Sequence, residues 1–154
     1  MSFLFPDDMF GLARSGRYVN TAQALVAATC YRIPLNELST VLQRDAGLQY
    51  QFLCKVTHEL RESQRRTIIM GRRDAAGRLA MFLVMLKEHL QQTSRDVIPL
   101  PMSRADIAGY LGLSVEAVTR AMDKLTRAGI VAFSGRQSAR VVDAAELDKL
   151  SADI

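Results

Sequence analysis

The sequence has few cysteines and no long apolar run. Its 154 residues include only two cysteines, Cys30 and Cys54, and these fit no CxxC spacing. Two such residues cannot by themselves build a cysteine-rich zinc or iron–sulfur site. The longest apolar run, Leu79–Leu86, has eight residues, whereas a membrane-spanning helix needs about 20. We therefore expect no metal, no cofactor and no membrane segment.

Export signals and catalytic motifs are also missing. The first ten residues contain Asp7 and Asp8 instead of the basic region that opens a signal peptide. The low cysteine content suits a reducing cytoplasm. There is no phosphate-binding glycine loop, no GxSxG elbow and no cysteine–histidine pair. These absences predict a cytoplasmic protein without catalytic residues rather than an enzyme.

The composition is that of a globular protein whose charge is unevenly distributed. Hydrophobic residues make up 49% and charged residues 23% of the chain, which argues against wholesale disorder. The 20 Lys and Arg residues exceed the 16 Asp and Glu residues, and the excess lies between residues 44 and 142, ahead of an acidic tail. This distribution is typical of a polyanion-binding face. A solvated charged surface explains it equally well.

Residues 1–43 form an irregular, turn-rich segment. Proline and glycine interrupt it at Pro6, Gly11 and Pro34. Residues 23–27 and 29–33 are short pieces of β-like composition, and a helix is expected to begin at Pro34. The segment has too few strands to close a sheet by itself, which indicates the end of a larger unit.

A long helix is predicted over residues 44–71. Apolar or small side chains recur in it with the 3-4-3-4-3 spacing of a coiled-coil seam, and charged side chains occupy its other faces. The seam consists of Leu53, Val56, Leu60, Ser63, Thr67 and Met70. This spacing favours a homodimer in which the helix pairs with its copy. The alternative is an amphipathic helix that packs on its own domain.

A further helix is predicted after Asp74, because aspartate is a good N-cap residue. Its apolar face consists of Ala75, Leu79, Phe82, Leu83 and Leu86. Pro99 and Pro101 end this helical region, since proline lacks the amide donor and favours extended structure in the residue before it.

A helix-turn-helix pattern follows. Ser103 and Asp106 have the spacing of a capping box, so a helix is expected to begin at Arg104. Gly112 supplies the backbone freedom that a sharp turn requires, and Ser114 caps the next helix. The inner faces are predicted to be Ile107, Ala108 and Leu111 in the first helix and Val115, Val118, Met122 and Leu125 in the second. The pattern is typical of DNA-binding proteins, although a helical hairpin of another kind can match it by chance.

A β-hairpin is predicted directly after Gly129. Its strands are residues 130–133 and 138–142, and they are joined by a tip at residues 134–137. A helix-turn-helix followed by a hairpin is a winged helix. Arg136 at the tip and Arg140 on the second strand are candidate phosphate contacts. The alternative is that both arginines only solvate the hairpin.

Residues 101–120, with the sequence PMSRADIAGYLGLSVEAVTR, closely resemble the DNA-binding motif of the CRP/FNR superfamily of bacterial transcription regulators. The FNR/FixK branch is the nearest. The resemblance extends upstream: residues 71–90 look like the family's hinge and the first helix of its DNA-binding domain. Residues 44–70 look like its dimerisation helix, and residues 5–33 look like the last strands of its sensory β-roll.

The resemblance implies a mainly α fold with a small β part. Its expected domains are a β-roll remnant over residues 1–43, a dimerisation helix over residues 44–71 and a winged helix-turn-helix DNA-binding domain over residues 72–154. Most of the β-roll has no counterpart in this sequence. The chain is therefore either a short member of the family or a fragment.

The resemblance also implies which side chains meet DNA. Glu116, Thr119 and Arg120 match the family residues that reach base edges. Their chemistry is suitable, because a carboxylate accepts from cytosine N4 and arginine donates to guanine O6 and N7. The candidate phosphate contacts are Ser103, Arg104, Ser114, Arg136 and Arg140. The alternative is that Glu116 and Arg120 form an ordinary surface ion pair.

Two positions depart from the family pattern within the recognition helix. Val115 stands where the cyclic-AMP-receptor branch has an arginine, so the guanine contact of that arginine is expected to be absent. The FNR branch commonly has serine at the position of Thr119. The base preferred next to this residue is therefore left open.

The implied function is sequence-specific regulation of transcription. A homodimer is expected to bind a palindromic double-stranded DNA site with TTGAT-like half-sites and to act with RNA polymerase. The Arg-Ser pair of the family's cyclic-nucleotide pocket is replaced here by Asn20 and Thr21, and the cysteine group of the FNR iron–sulfur cluster is missing. No effector is assigned. The alternative is an adaptor that forms heterodimers with longer relatives and has no specific DNA site of its own.

Overall fold

A computed structural model describes residues 2–12, 17–18, 21–71, 74–90, 96–135 and 137–152, and it describes Arg66 by its backbone alone. This part of the chain contains six helices and three short strands. In chain order they are α1 (Leu35–Arg44), α2 (Ala46–Gly71), α3 (Ala75–His89), β1 (Val97–Pro99), α4 (Arg104–Leu111), α5 (Val115–Arg127), β2 (Val131–Ser134), β3 (Ser138–Val141) and α6 (Ala144–Ala152). They belong to two compact units, residues 4–65 and residues 1–3 with 66–154.

The first unit consists of irregular chain, α1 and most of α2. Helix α1 begins after Pro34, as predicted, and carries Glu37 in its first turn and Arg44 in its last, which suits the helix dipole. Asp45 is extended and separates α1 from α2. Its carboxylate accepts a hydrogen bond of 2.9 Å from the backbone N–H of Leu48, so it satisfies one of the unpaired amides at the start of α2.

The two β-like pieces predicted in this unit do not form strands. Residues 23–27 and 29–33 have no ladder partner, and residues 21–34 are exposed. A strand is stabilised by hydrogen bonds and side-chain contacts across a sheet, and composition alone does not supply a neighbouring strand. The prediction of strands at these positions is therefore wrong for this chain.

Helix α2 leaves its predicted seam on the surface. Leu53 and Leu60 are 61% and 57% exposed, and Ser63 and Thr67 are also exposed. The half-buried positions Phe52, Lys55 and Glu59 lie on a different face of the helix. Within this chain, the predicted seam of α2 thus lies on the surface.

The second unit is built around α3. Asp74 caps this helix, as predicted, by accepting a hydrogen bond of 2.9 Å from the backbone N–H of Gly77. The buried residues of α3 are Ala76, Gly77, Leu79, Ala80, Phe82, Leu83, Met85 and Leu86. They occupy most of its circumference because α3 packs against α4, α5, α6 and β1. Burying each of the larger side chains contributes about 1.5–3 kcal/mol, so α3 is the main source of stability in this unit.

An antiparallel sheet with strand order β1-β3-β2 flanks the helices. The predicted hairpin is confirmed, with Phe133 opposite Ala139 and Ser134 opposite Ser138. Strand β1 was expected only as extended chain around the prolines. It pairs with β3, and Val97 lies opposite Arg140. Pro99 fits because β1 is an edge strand, where a missing amide donor leaves no ladder bond unmade.

The acidic tail forms a helix that the sequence did not predict. In α6, Leu147 is buried, and the helix packs on α3. The Asp143 carboxylate caps it by accepting a hydrogen bond of 3.0 Å from the backbone N–H of Glu146. Among the described residues, no helix is both long and apolar enough to span a bilayer.

Candidate nucleic-acid interface

Helix α4 begins with the predicted capping box. The Ser103 hydroxyl accepts a hydrogen bond of 3.1 Å from the backbone N–H of Asp106, and the Asp106 carboxylate accepts from the Ser103 N–H at 2.9 Å. The Ser103 hydroxyl also donates to the same carboxylate at 2.6 Å. These donors lower the pKa of Asp106, since they stabilise its ionised form. Because a serine has one hydroxyl proton, the only side-chain donor of Ser103, a candidate phosphate contact, is already bonded to Asp106.

The turn between α4 and α5 depends on Gly112. This residue has φ 62° and ψ 41°, the left-handed conformation that favours glycine. The backbone N–H of Leu113 closes the turn by donating to the Ala108 carbonyl at 3.0 Å. A Cβ at Gly112 would lie 3.7 Å from the Met70 sulfur and 3.8 Å from Arg78 Nη1, which is ordinary contact, so the backbone conformation alone requires glycine here.

Arg78 stabilises the same turn from α3. Its Nη1 donates to the carbonyl of Leu111 at 3.0 Å and to the carbonyl of Gly112 at 3.4 Å. These carbonyls lie at the C-terminus of α4, where backbone acceptors lack partners within the helix and a cation is favourable. Sequence reasoning missed this role, because the contact spans 33 positions in the chain.

Helix α5 packs on the core through one face and leaves the other exposed. Ser114 caps it, accepting a hydrogen bond of 3.2 Å from the backbone N–H of Ala117. Of the predicted inner face, Val118, Met122 and Leu125 are buried. Val115 is 40% exposed, so its assignment to the inner face is wrong. It is the first helical residue and projects beyond the core, whereas the buried set includes Ala121 instead.

Glu116 and Arg120 lie on the exposed face of α5, four positions apart. The backbone N–H of Glu116 and the hydroxyl of Ser114 donate to the Glu116 carboxylate, and Arg120 attracts it, so its pKa lies below the usual value for glutamate. The carboxylate is therefore ionised and acts only as an acceptor, beside an arginine that acts only as a donor. The Ser114 hydroxyl proton is used in this arrangement.

Thr119 lies on the same side of α5 but is partly buried. Its hydroxyl donates to the Val115 carbonyl at 3.0 Å. It also accepts a hydrogen bond of 3.2 Å from Nη1 of Arg104 at the start of α4. The structure therefore joins a predicted phosphate contact to a predicted base-reading residue. The sequence contained no signal for this contact, because the two residues lie on different helices.

The remaining predicted residues are distributed over other elements. Arg140 is exposed on β3, between the buried residues Ala139 and Val141, as predicted from strand alternation. Arg136 and Asn20 lie outside the described residues.

Residues 77–150 match the Crp-like helix-turn-helix domain family. The nitrogen fixation regulation protein FixK of Bradyrhizobium diazoefficiens is 33% identical to this chain over 135 residues, which cover 86% of this chain and 57% of that protein. The chain is a homologue of the FixK and FNR regulators of the CRP/FNR family. The resemblance found in the sequence of the helix-turn-helix is thus confirmed.

Two further comparisons agree with this similarity. The transcriptional activator protein FnrA of Stutzerimonas stutzeri is 31% identical over 156 residues, covering 97% of this chain and 62% of that protein. The structure of FixK2 from Bradyrhizobium japonicum superposes with a TM-score of 0.70 at 30% identity, covering 77% of this chain and 59% of that one. The chain thus spans about three fifths of the length of these relatives. The predicted fold class, mainly helical with a small sheet, is confirmed.

Proposed function

We propose that this CRP/FNR homologue binds double-stranded DNA at specific sequences and regulates transcription. The observation that carries the proposal is the outer face of α5, where ionised Glu116 and Arg120 stand exposed on a helix whose start is capped and whose opposite face is buried. An exposed helix of this kind fits the major groove of DNA. The proposal follows the matched relatives, one of which, FnrA, is named as a transcriptional activator.

Glu116 and Arg120 have the opposite hydrogen-bonding characters that base reading requires. The Glu116 carboxylate would accept from the N4 amino group of cytosine, and the Arg120 guanidinium would donate to O6 and N7 of guanine. Thr119 lies beside them. An ordinary surface ion pair also accounts for the proximity of Glu116 and Arg120, so only the effect of each residue on sequence preference separates the two interpretations.

Phosphate contacts are expected to come from the arginines at the edges of this face. Arg104 is the first residue of α4, and Arg140 is exposed on strand β3 of the hairpin. Arg136 completes the proposed set. Each phosphate neutralised by an arginine releases bound counterions, so affinity is expected to fall steeply with salt. Ser103 is a weaker candidate, because its hydroxyl proton is bonded to the Asp106 carboxylate.

The functional form is proposed to be a homodimer formed through α2. The exposed seam supports this, because Leu53, Val56 and Leu60 are large apolar side chains that α2 leaves on the surface. Pairing them with a second copy would bury them at coiled-coil spacing. Two-fold symmetry then requires a palindromic site with half-site centres about 34–36 Å apart, and the family resemblance suggests TTGAT-like half-sites. RNA polymerase is the expected partner of the bound dimer.

The domain assignment is proposed on the same basis. Residues 44–71 would be the dimerisation helix and residues 72–154 the DNA-binding domain, with residues 1–43 corresponding to the end of the family's β-roll. The second candidate function, an adaptor that pairs with a longer relative, is favoured by the same exposed seam on α2. The intact outer face of α5 favours a chain that binds DNA itself.

Selection of bound duplexes from a random DNA library tests the proposal. We expect the full chain to enrich a palindrome with one preferred spacing between half-sites. Glu116→Ala is expected to lose enrichment at one position of each half-site, while Asp123→Ala on the same helix serves as the matched exposed control. Enrichment of no sequence, together with binding to a longer family member, would overturn the DNA-binding proposal in favour of the adaptor.

A further inference from the structure

The hydroxyl proton of Thr119 is bonded within the protein, and this determines what Thr119 offers to a base. We propose that Thr119 reads DNA through its methyl group, with a preference for thymine, and that Arg104 is the positioning residue that holds its hydroxyl away from hydrogen-bond reading. The inference rests on the proposed function, since it concerns the same face of α5. It assigns Arg104 a role in specificity beyond a phosphate contact.

The hydrogen bonds of the Thr119 hydroxyl leave it no proton to donate. A threonine hydroxyl has one proton and two lone pairs. The proton is used at 3.0 Å by the Val115 carbonyl one turn earlier in α5. One lone pair accepts from Arg104 at 3.2 Å, in a bond strengthened by the positive charge of the guanidinium.

The same bonds restrict the rotamer of Thr119. A threonine in a helix has two accessible χ1 rotamers, and bonding of Oγ1 to the preceding turn selects between them. With Oγ1 tied to Val115 and Arg104, the methyl group is held at the other branch of Cβ. In the proposed reading, this methyl group is what Thr119 offers to a base on the face of α5 that carries Glu116 and Arg120.

A fixed methyl group on this face has one matching partner in the major groove. Thymine carries a C5 methyl group there, and threonine methyl groups are among its usual contacts. If Arg104 turned to a phosphate in the complex, the proton of Thr119 would still be used by Val115. With or without Arg104 the hydroxyl can act only as an acceptor, so recognition of the amino groups of adenine or cytosine is the competing outcome.

Two substitutions at Thr119 separate the methyl group from the hydroxyl. Thr119→Val keeps the shape and the methyl groups but removes the hydroxyl, and Thr119→Ser keeps the hydroxyl but removes the methyl group. The full chain and both variants would be titrated against the selected operator and against duplexes in which deoxyuridine replaces thymidine at one position of both half-sites. Uracil lacks only the C5 methyl group, so hydrogen bonding of the base pair is preserved.

We expect wild type and Thr119→Val to bind about 15-fold more weakly at one uracil position, since burial of one methyl group contributes about fourfold and both half-sites of the palindrome are substituted. Thr119→Ser is expected to lose this discrimination. The inference is overturned if Thr119→Ser keeps it or if Thr119→Val loses specificity in favour of an adenine or cytosine preference. A selected operator with no sensitive uracil position also overturns it while leaving the proposed function intact, whereas the absence of any selected operator overturns both.

The positioning role of Arg104 has its own readout. Arg104→Ala is expected to reduce the thymine-to-uracil affinity ratio in wild type but not in Thr119→Val, because valine has no hydroxyl to hold and carries methyl groups on both branches. A residue that only contacts phosphate would lower affinity for both duplexes equally and leave the ratio unchanged in both backgrounds. An unchanged ratio in the wild-type background would therefore refute the role proposed for Arg104. Thermal melting of each variant checks that the fold is kept.

Discussion

Replacing Gly112 with alanine should destabilise the helix-turn-helix unit through backbone conformation alone. Gly112 has φ 62°, and a non-glycine residue in this left-handed region is less stable by about 1–2 kcal/mol. The added Cβ would meet its nearest atoms at 3.7–3.8 Å, so no steric term is added. The lower backbone entropy of alanine in the unfolded chain offsets about 0.4–1 kcal/mol. The net expected loss is about 1 kcal/mol.

Two other glycines provide matched controls for this value. Gly129 has φ 71° and no atom within 4 Å of an added Cβ, so Gly129→Ala should lose about the same amount. Gly71, the last residue of α2, has no such atom either and no positive φ. Gly71→Ala should therefore be neutral or stabilising by up to about 1 kcal/mol, as alanine is the better helix former.

The three variants would be compared with wild type by urea unfolding monitored by circular dichroism, with the midpoints converted to free energies of unfolding. A loss above about 3 kcal/mol for Gly112→Ala would refute the reasoning, since it would require a clash that the geometry of the turn lacks. A loss for Gly71→Ala equal to that of Gly112→Ala would refute it as well, because backbone strain would then not distinguish the two positions.

The remaining predictions concern dimerisation, the division of roles on the DNA-binding face and pH. Leu60→Glu should place two like charges in the seam of α2 and shift the sedimentation coefficient from dimer to monomer. Gln64→Glu on the same helix should leave the dimer unchanged. A Leu60→Glu variant that is still a dimer would contradict the proposal that α2 pairs through this seam. Glu116→Ala should lower the ratio of specific to non-specific affinity by about 1–3 kcal/mol. Arg140→Ala should weaken binding to cognate and scrambled duplexes alike and reduce the dependence of affinity on salt by about one phosphate contact. Equal effects of the two variants on both duplexes would contradict this division of roles. The pKa of Asp106 is lowered in the folded state, mainly by the hydrogen bond from the Ser103 hydroxyl. The ionised carboxylate therefore stabilises the folded state at any pH above the pKa that Asp106 has in the unfolded chain. This stabilisation is lost as the pH falls through the pKa of the folded state. The difference in unfolding free energy between wild type and Asp106→Asn should therefore be constant above about pH 5 and shrink as the pH falls below the ordinary aspartate pKa of about 3.9. A difference that grows on acidification would reverse the sign and refute the assignment.

Local chemistry made the helix-turn-helix predictable from the sequence. The capping box of Ser103 and Asp106, the left-handed turn at Gly112 and the cap at Ser114 each involve residues no more than a few positions apart. Such bonds form wherever these side chains meet a helix end, so the sequence is sufficient to place them. Burial of Val118, Met122 and Leu125 was predictable for the same reason, because helical periodicity places them on one face.

Periodicity failed where an element meets the end of the core or needs a distant partner. Val115 has the spacing of an inner-face residue, but it lies at the first position of α5, beyond the atoms that would cover it. Residues 23–27 have the composition of a strand, but composition cannot supply the neighbouring strand that a ladder requires. Helix α6 shows the opposite case, since a single buried side chain, Leu147, docks an acidic segment on α3.

The sequence by itself thus determined where α4 and α5 begin, end and turn, and it identified the charged residues on the outer face of α5. Tertiary structure alone decided which side chains hold that face in position. Arg78 reaches the turn at Gly112 from α3, and Arg104 reaches Thr119 across two helices. These contacts depend on the packing of helices far apart in the chain, and no local pattern of residue types encodes the distance between such side chains.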